Sequence, residues 1–185
     1  MLPAISTREA GRWTRFQFER LIADAALVDI SERSSRDGDA TLTPADLAEW
    51  RAVHGRWVYP TILLVRTGYA AYWSNRTRYF GISPKEPDVR HFPGLSAEAA
   101  RELAADSAVV GVGIDTPSVD PGISHDFLAH QILFSKNIYA LENLADLSRV
   151  PASGIRILAM PMKIGGGSGG PCRVVVNLPA QPPTA

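Results

Sequence analysis

Apolar and polar segments alternate along the chain in lengths that suit strands and helices. Short apolar runs, typical of strands buried within a sheet, occupy residues 25–30, 61–66, 108–114, 138–141, 155–164 and 173–178. Segments with helical periodicity lie between them, at 44–54, 97–106 and 124–134. Strands separated by helices predict an α/β fold, and a direct loop between the last two strands predicts a mixed rather than purely parallel sheet.

Two of the predicted helices have clear start signals. Thr43 is a suitable N-cap, followed by Pro44 at the first helical position and by Asp46, whose charge favours the positive end of the helix dipole. Ser96 is the corresponding cap of the second helix, with Glu98 in its first turn. Both helices therefore have defined starting points within the alternating pattern.

The periodicity disappears over residues 69–93. This stretch mixes aromatic residues with prolines, glycine and asparagine, a composition that predicts a long excursion loop. Loops of this length in a compact domain often form lids or the walls of binding sites. Tyr69 and Trp73, near the start of the loop, are therefore candidates for a substrate pocket.

Composition narrows the class of protein. The chain has 185 residues, 19 basic and 19 acidic side chains and a single cysteine, Cys172. Zero net charge gives no electrostatic reason to expect nucleic acid or an anionic membrane as a partner, and no apolar run approaches the ~20 residues of a membrane helix. A free thiol and no signal-peptide core predict a cytoplasmic protein. We expect a weakly ordered segment at 1–19, one domain at 20–178 and a disordered tail at 179–185.

Glycine-rich segments give weak signals for nucleotide binding. Gly111 and Gly113 follow a predicted strand, but the third glycine of a dinucleotide fingerprint is missing and Asp115 stands where a helix should begin. The run GGGSGG at 165–170 lacks the Lys-Ser/Thr pair of a phosphate loop and is better explained as a flexible hairpin. A nucleotide-binding domain stays open only as a third alternative.

Residues 110–144 contain most of the candidate chemistry. Groups that can ligate metal or transfer protons occur at Asp115, Asp120, His125, Asp126, His130 and Glu142. In the predicted helix, Asp126 and His130 lie four residues apart on one face, and Glu142 follows the next strand, where it can return to His130. One imidazole and one carboxylate make half of a divalent metal site. The alternatives are a solvated or capping Asp–His pair and an Asx turn at Asp115.

Several blocks of sequence resemble the cyclase-type metal-dependent hydrolases, a family that includes bacterial kynurenine formamidase and isatin hydrolase. The matching blocks are GIDTPSVD at 113–120, AHQILFSKNIYALENLADL at 129–147 and IRILAMPMKIGGGSGGPCRVVV at 155–176. Shorter segments upstream, including ALVDIS and LTPADL, occur in the family's order. The resemblance covers roughly residues 20–178.

This resemblance implies a swivelling β/α/β fold in a single domain, usually dimeric, with a zinc or manganese centre. It implies hydrolysis of a small amide or formamide, as an arylformamidase performs in tryptophan catabolism to kynurenine. His130 and Glu142 match the family's metal-binding positions, and Asp115 joins Tyr69 and Trp73 as a pocket candidate. A homodimer is the expected assembly.

The sequence departs from the family in one block. The family's H-x-G-T-H-x-D-x-P block has no counterpart, and no histidine precedes His54. Two matching side chains are fewer than the three protein ligands of a catalytic zinc site. We expect the chain as written to bind metal poorly and to hydrolyse slowly. The alternative is a non-catalytic homologue that acts as a binding or regulatory subunit.

Overall fold

One mixed sheet organises the part of the chain that the computed structural model describes, residues 18–178. The segments 1–17 and 179–185 lie outside the described residues, so most of the predicted weakly ordered start and all of the predicted tail lie there. The strands, in chain order, are β1 Ile22–Asp29, β2 Thr41–Leu42, β3 Thr61–Arg66, β4 Gly94–Leu95, β5 Val109–Ile114, β6 Tyr139–Leu141, β7 Ile155–Pro161 and β8 Cys172–Asn177.

Six of these strands form one sheet in the order β6-β5-β3-β1-β7-β8. The two-residue strands β2 and β4 form a separate parallel pair. The β1, β3, β5 and β6 strands run parallel, with Leu27 opposite Leu64 and Gly113 opposite Leu141. The last two strands are antiparallel, as expected for strands joined by a hairpin. This arrangement confirms the predicted α/β class and its mixed sheet.

In the described part of the chain, five α-helices connect or cover the strands: α1 Ser31–Arg36, α2 Pro44–His54, α3 Arg76–Tyr79, α4 Ala97–Ala105 and α5 Leu128–Ser135. The Thr43 hydroxyl accepts the backbone N–H of Asp46 and the Asp46 carboxylate accepts the N–H of Thr43, which makes a reciprocal capping box for α2. Ser96 caps α4 in the predicted way. The sequence pattern missed α1 because its six residues, SERSSR, are all polar and carry no apolar periodicity.

Four predicted elements differ from the structure by three residues or more. The strand predicted at 25–30 begins earlier, at Ile22. The predicted loop 69–93 contains a 3-10 turn at Tyr69–Tyr72 and the short α3. The predicted strand 155–164 ends at Pro161. The helix predicted at 124–134 begins only at Leu128, because Phe127 has a positive φ of 53° and the Asp120 carboxylate accepts the first helical N–H groups.

The central strands β3 and β5 are buried on both faces of the sheet, whereas β7 and β8 alternate between covered and exposed positions. One face packs against α2, α4 and α5 through a cluster that includes Leu47, Leu103 and Leu133. The other face forms a second cluster around Leu64 and Leu144. Because β3, β5 and β6 are parallel, the segments that follow their carboxyl ends meet at one edge of the sheet, where the candidate site lies. Within residues 18–178, no helix has the length and apolarity needed to cross a membrane.

Candidate functional site

A histidine held between two carboxylates forms the centre of the candidate site. His130 lies in the first turn of α5, Asp120 in the segment after β5, and Glu142 directly after β6. The imidazole Nδ1 hydrogen-bonds to Asp120 Oδ2, and Nε2 lies 3.2 Å from Glu142 Oε1. The parallel sheet therefore brings together residues that the sequence separates by up to 22 positions.

Asp120 organises both the helix and the ring. Its Oδ1 accepts the backbone N–H of Ala129 at 2.7 Å, and its Oδ2 accepts the N–H of His130 at 3.2 Å. The residue is 1% exposed, so these donors replace the water that the carboxylate loses on burial. One buried side chain thus caps the start of α5 and fixes the orientation of its histidine.

Glu142 holds the opposite side of the ring. Its Oε1 accepts the backbone N–H of Val119 at 3.1 Å as well as facing His130 Nε2. The Glu142 side chain is 27% exposed, whereas that of Asp120 is buried. The Nε2 side of the imidazole is therefore the side that can exchange a hydrogen-bond partner for a metal or a ligand.

The two carboxylates control the charge of His130. Burial alone lowers the pKa of the imidazole, but its hydrogen bonds to Asp120 and Glu142 and their negative charges outweigh burial and raise the pKa of His130 to about 9. At neutral pH both ring nitrogens are therefore protonated and both donate. A metal ion must displace the Nε2 proton before it can bind this histidine.

A cavity of about 580 Å³ opens beside this triad. His130, Glu142 and Asn143 line one part of it, and the segment 168–174, which joins the glycine-rich hairpin to β8, lines another. The strands β6 and β8 lie at opposite edges of the sheet, yet both border the cavity. The sheet is therefore curved, so that its two edges approach each other at the cavity. Cys172 also lines it, and burial raises the pKa of the thiol, which keeps this cysteine protonated.

Asp115 and the two aromatic candidates have other surroundings. Asp115 is 1% exposed and accepts hydrogen bonds from the Thr67 N–H, the Thr67 hydroxyl and the Gly68 N–H, at 2.7, 2.7 and 2.9 Å. Tyr69 is buried in an aromatic cluster, and Trp73 is 65% exposed. These three residues are separate from the described lining of the cavity, and their role in a substrate pocket stays a prediction.

The described residues supply only part of a metal site. His130 Nε2 and Glu142 Oε1 are ligand atoms of the type that zinc and manganese accept, and they lie 3.2 Å apart beside the cavity. Across residues 18–178, no group of three or more His, Cys, Asp and Glu side chains is arranged to hold a metal ion. The donor set is chemically suitable but has two members where a catalytic zinc needs three.

Similarity to known proteins defines the family. The family model described as putative cyclase matches residues 4–121. The chain belongs to the cyclase family. An isatin hydrolase of Roseibium aggregatum is 30% identical over 165 residues, which are 87% of this chain and 61% of that protein. A kynurenine formamidase of Paracidovorax citrulli is 39% identical over 79 residues, or 43% of this chain and 36% of the relative.

The fold agrees with a solved member of this cyclase family. The crystal structure of an isatin hydrolase bound to the product analogue thioisatinate matches with a TM-score of 0.83 at 28% identity. That match covers 89% of this chain and 63% of the isatin hydrolase. The chain therefore spans about three fifths of the length of the isatin hydrolases it matches.

Sequence reasoning missed two features of this cyclase-family site. The sequence spacing predicts Asp126 beside His130 on a helix face, but Asp126 precedes the first residue of α5 and its side chain instead contacts Ser124. Asp120, ten residues before His130, is the carboxylate that actually contacts the ring. Asn143 at the cavity was missed because a positive φ, 56° here, leaves only a weak trace in a sequence.

Proposed function

We propose that this protein is a metal-dependent hydrolase of a small amide or formamide, with His130 and Glu142 as two of its metal ligands. The observation that carries the proposal is the 3.2 Å separation of His130 Nε2 and Glu142 Oε1 at the wall of the cavity. Zinc or manganese is the proposed metal, because both accept imidazole and carboxylate donors.

Asp120 prepares His130 for this role. Its bond to Nδ1 selects the tautomer in which Nε2 carries the lone pair once the ring loses its extra proton. The negative charge of Asp120 also makes the imidazole a stronger donor toward a metal. When bound, a divalent metal polarises a carbonyl group and lowers the pKa of water.

The proposed substrate is an aryl formamide or a cyclic aryl amide. A cavity of about 580 Å³ suits a small molecule, and Phe134, Tyr139 and Leu141 give its lining apolar surface. The relatives named isatin hydrolase and kynurenine formamidase support this class. A cytoplasmic homodimer that acts on such a substrate, as in kynurenine formation, is part of the same proposal.

Metal titration and turnover test the proposal on the 185-residue chain. We expect zinc or manganese to bind weakly, to release one proton, and to bind more tightly as the pH rises toward 9. Turnover of N-formylkynurenine or isatin should be slow and metal-dependent, and His130→Gln and Glu142→Gln should abolish both. His54→Gln, which changes an exposed histidine at the end of α2, is the matched control.

Tight binding of one metal ion per chain, with turnover at ~1–10³ per second, would contradict the expected weak activity. It would mean that further ligands complete the metal site beside His130 and Glu142. Metal binding that is insensitive to both substitutions would contradict the assignment of the ligands.

A non-catalytic binding or regulatory subunit is the second candidate. The observation that favours it is that both ring nitrogens of His130 have carboxylate partners within the chain, Asp120 at Nδ1 and Glu142 at Nε2. A stable complex with a longer member of the cyclase family, together with no metal and no turnover, would support this candidate. Metal-dependent turnover by the chain alone would exclude it.

A further inference from the structure

Asn143 occupies an unusual position beside the triad. It directly follows Glu142 and lines the same cavity as Glu142 and His130. Its φ is 56°, in the left-handed region, which asparagine adopts more readily than other non-glycine residues. Hydrogen bonds from the N–H of Asn143 to Thr116 O, at 2.9 Å, and from the N–H of Leu144 to Ile114 O, at 3.1 Å, hold this backbone in place.

Tyr79 fixes the side chain of Asn143. The phenol donates to Asn143 Oδ1 at 3.0 Å and lies farther, at 3.4 Å, from the backbone oxygen of Asp115. Tyr79 is 3% exposed, and its ring meets Trp73 and Phe80 edge-on at centroid distances of 5.4 and 5.6 Å. Burial, together with the charges of Asp115 and Glu142, raises the pKa of the phenol, so it stays a donor.

This arrangement determines which end of the carboxamide can bind a ligand. The Oδ1 atom accepts from Tyr79, which leaves the two N–H donors of Nδ2. Among residues 18–178, the hydrogen bonds of Asn143 involve its backbone N–H and Oδ1, and its side chain is exposed at the cavity. The neighbouring Glu142 carboxylate is an acceptor, so Nδ2 adds a neutral donor beside it.

We propose that Asn143 binds the carbonyl oxygen of the substrate through Nδ2, and that Tyr79 is the positioning residue that keeps this amide group facing the cavity. The inference rests on the proposed function for the class of ligand, an aryl amide or formamide. It assigns to Asn143 the recognition of the carbonyl oxygen and to His130 and Glu142 the neighbouring metal position.

Formanilide, the simplest aryl formamide, is the probe for this inference. Titration of the isotope-labelled chain without metal, followed by NMR, should shift the Asn143 side-chain amide signals. Loss of one hydrogen bond predicts that Asn143→Gly weakens binding about 3- to 10-fold. Glycine tolerates the left-handed backbone, so this variant keeps the fold. Asn143→Asp, with the same shape but no N–H donors, should weaken binding at least as much.

Tyr79→Phe tests the positioning role. We expect binding to weaken about 2- to 5-fold, because the carboxamide can then rotate and present its oxygen. This effect should vanish when Asn143 is already glycine, since the two residues then no longer interact. Tyr72→Phe is the matched control, because it removes a phenol hydroxyl from the same aromatic cluster and should change binding less than about 1.5-fold.

The inference is overturned if formanilide does not bind, if Asn143→Asp binds it within twofold of the unchanged chain, or if the effect of Tyr79→Phe persists in Asn143→Gly. Formanilide binding through Asn143 without metal-dependent turnover would support the inference while contradicting the proposed hydrolase. Metal-dependent turnover that does not depend on Asn143 would support the proposed hydrolase while contradicting the inference.

Discussion

Two buried aspartates on one short segment have different roles. Asp115 and Asp120 both follow β5 and both are 1% exposed. The partners of Asp115 are two backbone N–H groups and a hydroxyl, none of which changes charge near neutral pH. Asp120 accepts two backbone N–H groups and also contacts the imidazole of His130.

Burial of a carboxylate therefore does not by itself identify a functional residue. Asp115 joins the end of β3 to the end of β5 through partners that carry no charge. Asp120 instead transmits its charge to a group that can gain or lose a proton. The titratable partner, rather than the burial, marks the corner around Asp120 as the candidate site.

The largest expected effect comes from changing Asp115. In Asp115→Asn, one acceptor oxygen becomes an NH₂ group that faces a backbone N–H, so at least one buried donor loses its partner. We expect the free energy of unfolding to fall by about 2–4 kcal/mol, equally at pH 6 and pH 9, in urea denaturation. Asp106→Asn, at a half-buried aspartate before β5 whose Oδ1 accepts the Ala108 N–H, is the matched control, with an effect below about 1 kcal/mol. A strongly pH-dependent loss in Asp115→Asn would remove the distinction between the two aspartates.

Asp120 should control a pH-dependent part of the stability. The pKa of His130 is raised to about 9 in the folded chain, above its ordinary value of 6.5. Its stabilising contribution is therefore fully present below pH 6.5 and is lost as the pH rises through about 9. Between pH 6.5 and pH 9 the free energy of unfolding should therefore fall by about 2–3 kcal/mol by linkage.

In Asp120→Asn the pKa of His130 should drop, so less than half of this fall should remain between pH 6.5 and pH 9. Urea denaturation across this range measures it, with His54→Gln as the control that keeps the full fall. If the free energy of unfolding of Asp120→Asn fell by the full amount between pH 6.5 and pH 9, the fall would come from a group other than the Asp120–His130 pair.

The strands of the sheet could be predicted from the sequence, because each strand is a short continuous run of apolar residues. The pairing of His130 with Glu142 as metal ligands could also be predicted, and it stays a prediction. Apolar runs such as TILLVR at 61–66 are readable because all positions except the final Arg66 are buried. The contact between Asp120 and His130 was not readable, because it depends on where α5 begins. That start is set by a carboxylate eight residues earlier and by the positive φ of Phe127, neither of which leaves a periodic pattern.

Glu142 should have a smaller effect than Asp120 on the same histidine. Its side chain is partly exposed, so water screens its charge, and its Oε1 is shared with the N–H of Val119. We expect Glu142→Gln to lower the pKa of His130 by less than Asp120→Asn does, with a stability loss of about 1 kcal/mol. NMR titration of the His130 ring measures both variants, and a larger shift in Glu142→Gln would reverse the order of the two carboxylates.

The smallest effect is expected at Asp126, the carboxylate that the sequence pattern paired with His130. Asp126 is exposed, precedes the first residue of α5, and accepts a hydrogen bond from the Ser124 hydroxyl at 3.2 Å. Because it does not contact the imidazole, Asp126→Asn should change the free energy of unfolding by less than about 0.5 kcal/mol. It should also leave the NMR titration of His130 unchanged.

A clear drop in the pKa of His130 in Asp126→Asn would mean that α5 begins earlier in solution, with Asp126 and His130 on one helix face. Asp120 would then share its control of the histidine, and the contrast between the two buried aspartates would weaken accordingly.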